Sequence, residues 1–273
     1  MDALRCVVVR LLGDPVAQPV NPRCQRLVGG DGQGLGVYRV SGSARVGDQA
    51  RSWSAILKVL PDSARQAPEH WCYSAREVLA YRSGLLADLP AGLDSPKYLV
   101  DETDRAGRTW LWLEDLGSHD ESWSLERLAA AASCLGRFNG AYLTGVAMPR
   151  VPWLSRHWLR GWLAETAPAV QALSARRDDP LVRRVYPPDV MAGIEELWAN
   201  RERLLNALDR LPRTLCHNDA FRRNLAWWQA TCGARLGVPC ARPNRRRALT
   251  IRLSNCRLRG VERPAFEDAA ASG

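Results

Sequence analysis

The sequence predicts an α+β fold of two lobes, a small antiparallel sheet with one inserted helix followed by a helical lobe. Two observations carry this. Up to residue 116 the apolar residues fall in short strand-like runs separated by breaks rich in Gly and Pro, with one segment of helical period among them. Beyond Gly117 the apolar residues recur at helical spacing instead. The expected boundaries are 1–116 for the sheet lobe, 117–228 for the helical lobe and 229–273 for an arginine-rich tail without stable order.

The elements follow in chain order. Residues 13–23 read as a proline-punctuated lead-in carrying Pro15, Pro19 and Pro22. Cys24–Val28, Gly36–Val40 and Trp53–Leu60 read as three successive strands. Between the first two lies Gly29-Gly-Asp-Gly-Gln-Gly-Leu-Gly36, five glycines in eight residues. Residues 69–87 read as a helix, with Val78, Tyr81 and Leu85, and Leu79 and Leu86, at helical spacings. Tyr98–Val100 and Thr109–Leu116 are further strands. Leu125–Leu143 reads as an Ala-rich helix with Leu128, Ala132, Leu135 and Phe138 on one stripe. Trp158–Leu173 and Val190–Leu211 read as two more helices, the second anchored by Ile194, Leu197, Leu204 and Leu208. Arg213–Cys216 and Leu225–Trp228 read as short strands flanking a polar loop. Trp153, Trp158 and Trp162 read as core residues rather than stacking platforms.

Composition excludes several classes. With 46% apolar and 25% charged residues, the chain is an ordinary globular one. No apolar run reaches membrane-spanning length, and the N-terminal apolar stretch is broken by Arg10 without the layout of a signal peptide. A cytoplasmic protein without a membrane partner is the expectation. The eight cysteines are scattered with no C-x-x-C, which fits isolated reduced thiols better than a disulfide framework or a zinc site. The net charge of +9 is mostly a property of the tail: from Gln229 onward nine arginines face three acids, a surplus of +6, leaving +3 for residues 1–228. A nucleic-acid partner is therefore not expected. Only two lysines occur, Lys58 and Lys97, against 36 arginines, so each lysine invites a question.

The polar loop is His217-Asn-Asp219-Ala-Phe-Arg-Arg-Asn224. Phosphoryl transfer to a hydroxyl needs a carboxylate to accept the proton and an uncharged oxygen ligand to help hold Mg²⁺ against the phosphates. Asp219 and Asn224 have the spacing that supplies both from one loop, with His217 bracing it; the alternative is a polar turn with a satisfied histidine. Arg222 or Arg223 is placed to neutralise phosphate charge, or to be solvated. Strand alternation puts Lys58 on the face of Ile56 and Leu60, where an apolar residue is expected. It reads either as an ammonium for nucleotide phosphates or as an edge-strand lysine snorkelling to water. Glu77, 19 residues on, reads as its helical partner or as a solvated acid. Gly30, Gly32 and Gly34 can let backbone N–H groups approach phosphates, or form a simple hairpin turn. Asp115 stands where the chain passes between lobes, near where backbone groups can bracket an adenine edge; a plain strand-end acid is the alternative.

Taken together, Ala55-Ile-Leu-Lys58, Arg76-Glu-Val-Leu-Ala-Tyr-Arg82, Leu111-Trp-Leu-Glu-Asp-Leu116 and Leu215-Cys-His-Asn-Asp-Ala-Phe-Arg-Arg-Asn224 resemble the aminoglycoside phosphotransferase/choline kinase-like family. The resemblance covers roughly residues 24–228 in family order. It implies a protein kinase-like fold, ATP and Mg²⁺ as cofactors and a small-molecule hydroxyl as acceptor, without fixing the substrate. One element departs. The family carries a second metal-binding aspartate soon after the catalytic loop, whereas Leu225–Val261 contains no Asp or Glu. Trp also disappears after Trp228 as arginine accumulates. A frame-shifted or replaced C-terminus is the expectation, with a divergent native tail as the alternative. An impaired enzyme or a non-catalytic nucleotide-binding protein follows from the missing acid.

Overall fold

The structure is a computed structural model that describes residues 3–27, 35–87, 89, 93–117, 123–218, 220, 224–228 and 248–251. Its first half runs α1 (Ala3–Leu12), β1 (Gln18–Leu27), β2 (Val37–Val46), β3 (Gln49–Leu60), α2 (Arg76–Arg82), β4 (Leu93–Asp94), β5 (Tyr98–Thr103) and β6 (Thr109–Glu114). The second half runs α3 (Leu125–Thr144), α4 (Trp158–Ala175), α5 (Pro180–Val185), α6 (Pro188–Ala199), α7 (Arg201–Leu208), β7 (Leu225–Trp228) and β8 (Ala248–Ile251). The fold is α+β, with an antiparallel five-stranded sheet in the order β1-β2-β3-β6-β5.

Period-two alternation along β3 splits its side chains between two cores. Trp53, Ala55 and Leu57 point to the face covered by α1, where they pack with Val7, Val8, Val40, Leu99 and Trp112. Ile56 and Leu60 point to the opposite face, where α2 brings Val78 and Tyr81 against Leu111 and Leu113. Each fully buried Leu or Val here contributes about 1.5–3 kcal/mol by leaving water. Helix α1 is fastened further by Arg10, which donates to the carbonyl of Leu99, and by Lys97 Nζ, which donates to the Arg10 carbonyl at 2.9 Å.

Several expectations are corrected. The N-terminal apolar stretch is a helix, and the proline-punctuated lead-in is largely strand β1. An edge strand tolerates prolines because one side of it needs no ladder donors. The register shifts between Val20 and Arg23, and Asn21 takes φ +48° in that irregularity. The segment 69–87 is helical only over Arg76–Arg82. Arg76 donates to the carbonyls of His70, Trp71 and Trp153, so the preceding residues are held in turns rather than wound into the helix. Val190–Leu211 is broken at Asn200, whose side chain bonds the Glu196 carbonyl at 2.9 Å, giving α6 and α7. Arg213–Cys216 is not a strand. Residues 248–251, inside the tail expected to lack order, form β8, which pairs parallel with β4 and antiparallel with β7. The rest of that tail, 229–247 and 252–273, lies outside the described residues.

No described helix is long and apolar enough to cross a membrane.

Candidate functional site

The cross-strand register sets the geometry of the sheet's inner face. Leu27, Val37, Lys58 and Leu111 stand in one transverse row across β1, β2, β3 and β6. Leu27 and Val37 are the last and first residues of their strands, so the Gly-rich connection leaves the sheet at the level of Lys58. The Val59 N–H bonds the Gly36 carbonyl at 3.2 Å, which extends this pairing up to the mouth of the connection. Gly36 needs its φ of +76°, and an added Cβ there would meet the Tyr38 ring at about 3 Å. Gly30, Gly32 and Gly34 lie outside the described residues.

Lys58 lies on a central strand, not an edge, and is buried at 8% exposure. Glu77, on α2, is buried at 3%, and Lys58 Nζ stands 2.6 Å from its Oε1. Both solvated alternatives fail on this burial. Removing two charges from water costs several kcal/mol per ion, and only a close, hydrogen-bonded partner offsets that. Ile56, Val78, Leu111 and Leu113 form an apolar cluster on the same face of the sheet.

Asp115 follows β6 and is tied into the same sheet face. It accepts from Arg39 Nε at 2.7 Å, from Ser54 Oγ at 2.6 Å and from the Gly117 N–H at 2.9 Å. Burial pushes its carboxyl up, but the bonds from Ser54, Arg39 and Gly117 outweigh it and hold the group below the ordinary aspartate range. The carboxylate is thus occupied within the protein.

The loop residues enter from the helical half. Thr214 Oγ1 donates to the Asn139 carbonyl on α3, and Leu215 and Leu225 pack with Cys134, Phe138 and Tyr142 of the same helix. Both flanks of the loop are therefore anchored on α3. His217 and Asn224 are buried, at 8% and 7% exposure. Asn218, between His217 and Asp219, has φ +59°, a left-handed conformation that asparagine accepts more readily than most residues. Asp219, Arg222 and Arg223 lie outside the described residues.

A cavity of about 630 Å³ joins the two groups: Glu77 and Arg76 of α2 line one side, and Thr214, His217 and Asn218 line another. Trp153 and Trp158 are in its wall, and Trp153 is buried, in line with a core role. The structure therefore brings Lys58 to Glu77, Asp115 to Arg39 and Ser54, and Glu77 to the same cavity as His217. The roles of Arg39 and Ser54 were not legible in sequence, because neither belongs to a motif and only the strand register puts them beside Asp115.

No family model matches the chain, and no curated protein matches it in sequence.

Proposed function

We propose that the chain is an ATP-dependent phosphotransferase of the aminoglycoside phosphotransferase-like kind, on a protein kinase-like fold, with a small-molecule hydroxyl as acceptor. The observation that carries this reading is the buried Lys58–Glu77 pair at the row where the Gly-rich connection leaves the sheet. An apolar pair would hold that core together more simply, so a retained charge pair there fits a role in binding an anion. A reduced, cytoplasmic setting goes with it.

ATP·Mg²⁺, when bound, supplies the phosphoryl group and offsets charge on its oxygens. The residues present fit the nucleotide: Lys58 would hold its phosphates, and Glu77, 2.6 Å from its Nζ, orients it. Backbone N–H groups of the connection containing Gly30, Gly32 and Gly34 would approach the same phosphates. Asn224 would offer an oxygen to Mg²⁺, His217 braces the loop, and Asp219 would accept the hydroxyl proton.

Calorimetry with ATP tests the reading on the wild-type chain and on the double variant Lys58→Met/Glu77→Leu, which removes the charges together. Binding by the wild type and none by the double variant is expected; equal affinity would remove the pair from any nucleotide site. Asp219→Asn should lower kcat by roughly 10²–10⁴-fold with ATP affinity unchanged, the size expected for loss of a general base.

One observation favours a second reading, a non-catalytic nucleotide-binding protein: Leu225–Val261 holds no acid to serve as a further metal ligand. The coding DNA separates the two. An Asp-Trp-like turn followed by helical periodicity, in another frame beyond codon 228, would mark this polypeptide as the shifted product of an active enzyme. No such aspartate in either frame favours the non-catalytic reading.

A further inference from the structure

Three side chains outside this site form a chain of contacts where α4 docks on the turns preceding α2. His70 Nε2 stands 2.9 Å from Glu165 Oε1, and His70 Nδ1 stands 3.3 Å from Cys72 Sγ. The same Glu165 oxygen accepts from Trp71 Nε1 at 2.7 Å. We propose that Cys72, His70 and Glu165 form a thiol-activating relay, making Cys72 a nucleophilic modification site for soft carbon electrophiles.

The argument starts from donors and acceptors. An ionised carboxylate only accepts, so the imidazole nitrogen facing Glu165 carries the proton. That fixes the tautomer with hydrogen on Nε2 and leaves the Nδ1 lone pair facing Cys72, where it accepts from the backbone N–H at 3.4 Å and stands 3.3 Å from Sγ, a base beside a nucleophile with a carboxylate orienting the base. The two ring nitrogens face different partners. A single metal ion would need one of them to face both Cys72 and Glu165, so the geometry favours a relay over a metal site, although three ligand-type atoms lie within 4.8 Å of one another.

The surroundings hold this arrangement in place. Arg76 donates to the carbonyls of His70 and Trp71 and, at 2.7 Å, to that of Trp153, pinning the turn. On α4, Gly161 lies one turn before Glu165, and a Cβ there would come within 2.8 Å of the Trp71 ring. The missing side chain is what lets α4 approach closely enough for Glu165 to reach Trp71 and His70. Cys72 is partly exposed, and His70 and Glu165 beside it are 40% and 49% exposed, so the group lies at the surface.

In the reaction the thiol proton passes to His70 Nδ1, giving an imidazolium facing Glu165. The sulfur lone pair then forms an S–C bond as the leaving group departs with its electrons; with iodoacetamide, iodide leaves. Other cysteines supply the contrast. Cys24 and Cys216 are both exposed at the surface, and partial desolvation pushes the Cys216 thiol up, which lowers its thiolate share.

Limiting iodoacetamide at pH 7 with EDTA, followed by peptide mapping, tests this on the full chain with Cys24 as internal reference. Cys72 should label roughly tenfold faster than Cys24, and His70→Asn should remove that advantage. Glu165→Gln, a near-isosteric change at a half-exposed position, should reduce it at an unchanged Cys24 rate. Labelling of Cys72 no faster than Cys24, or an advantage that survives both substitutions, would overturn the relay. So would stoichiometric zinc binding that blocks Cys72 and is lost in Glu165→Gln, since that would establish a metal site instead.

Discussion

The sheet half and the helical half use similar amounts of apolar sequence in opposite ways. In the sheet half α1 and α2 cover the two faces, and Leu99, Leu111, Leu113, Val7 and Val8 are almost wholly removed from water. Among the described residues of the helical half only α3 presents a continuous buried stripe, Ala131, Cys134, Phe138 and Tyr142. Helices α4 and α5 bury no residue, α6 buries Met191 and α7 buries Leu205. Leu125, Val185, Leu197 and Leu211 stand between 58% and 84% exposed. The difference shows that helical periodicity makes a helix locally but cannot supply the surface against which it packs.

Substitutions at several sites, from the largest expected effect to the smallest, would sharpen or break this contrast when followed by chemical denaturation. Lys58→Ala removes the cation 2.6 Å from the buried Glu77 carboxylate and should cost about 3–5 kcal/mol, whereas Lys58→Met/Glu77→Leu should be neutral or stabilising. A mild single-variant loss would mean that the sheet interior is wetter than its burial indicates. Leu111→Ala should cost about 3 kcal/mol, with Leu197→Ala within about 0.5 kcal/mol of the wild type. Equal losses at the two sites would erase the contrast. Asp115→Ala should cost about 2 kcal/mol at neutral pH, the scale of hydrogen bonds to a charged group. Because the folded Asp115 titrates below its unfolded range near 3.9, its stabilisation is present above that range and lost as pH falls through the folded value. The variant should therefore show a flatter loss of stability below about pH 4 than the wild type, and parallel acid curves would contradict the assignment. Ser124→Ala removes the cap that accepts from the Arg127 N–H at 3.3 Å and should cost about 1 kcal/mol through α3. No change in unfolding would mean that α3 does not share the sheet's cooperativity.

Legibility in the sequence follows the same division. Strands β2, β3, β5 and β6 could be read because one period-two pattern matches one covering layer on each face. Lys58 stood out against that pattern, and the polarity of its position led directly to Glu77. Along α3 the stripe was half right: Phe138 is buried and Leu135 packs beside it, but Leu128 and Ala132 are exposed, while Ala131 and Cys134 are buried. In an Ala-rich helix several faces are similarly apolar, so the neighbours decide which one turns inward, and sequence periodicity does not carry that information. Leu197, Leu204 and Leu208 failed as anchors for the same reason, being 63%, 38% and 50% exposed beside buried Met191 and Leu205. The Cys72 group was invisible because Glu165 lies 93 positions from Cys72 and only the docking of α4 unites them.

The uncovered leucines and valines of the helical half also govern how copies of the chain meet in solution. A net charge of +9 gives every copy the same sign, and at low ionic strength that repulsion keeps apolar faces from touching. Salt shortens the reach of the repulsion to about 10 Å at 0.1 M and about 3 Å at 1 M, while leaving the apolar attraction in place. Colloidal stability should accordingly fall as salt rises, and light scattering across a salt series would follow it. Arginine-neutralising polyanions would act in the same direction at far lower concentration, because they remove the shared charge instead of shortening its range.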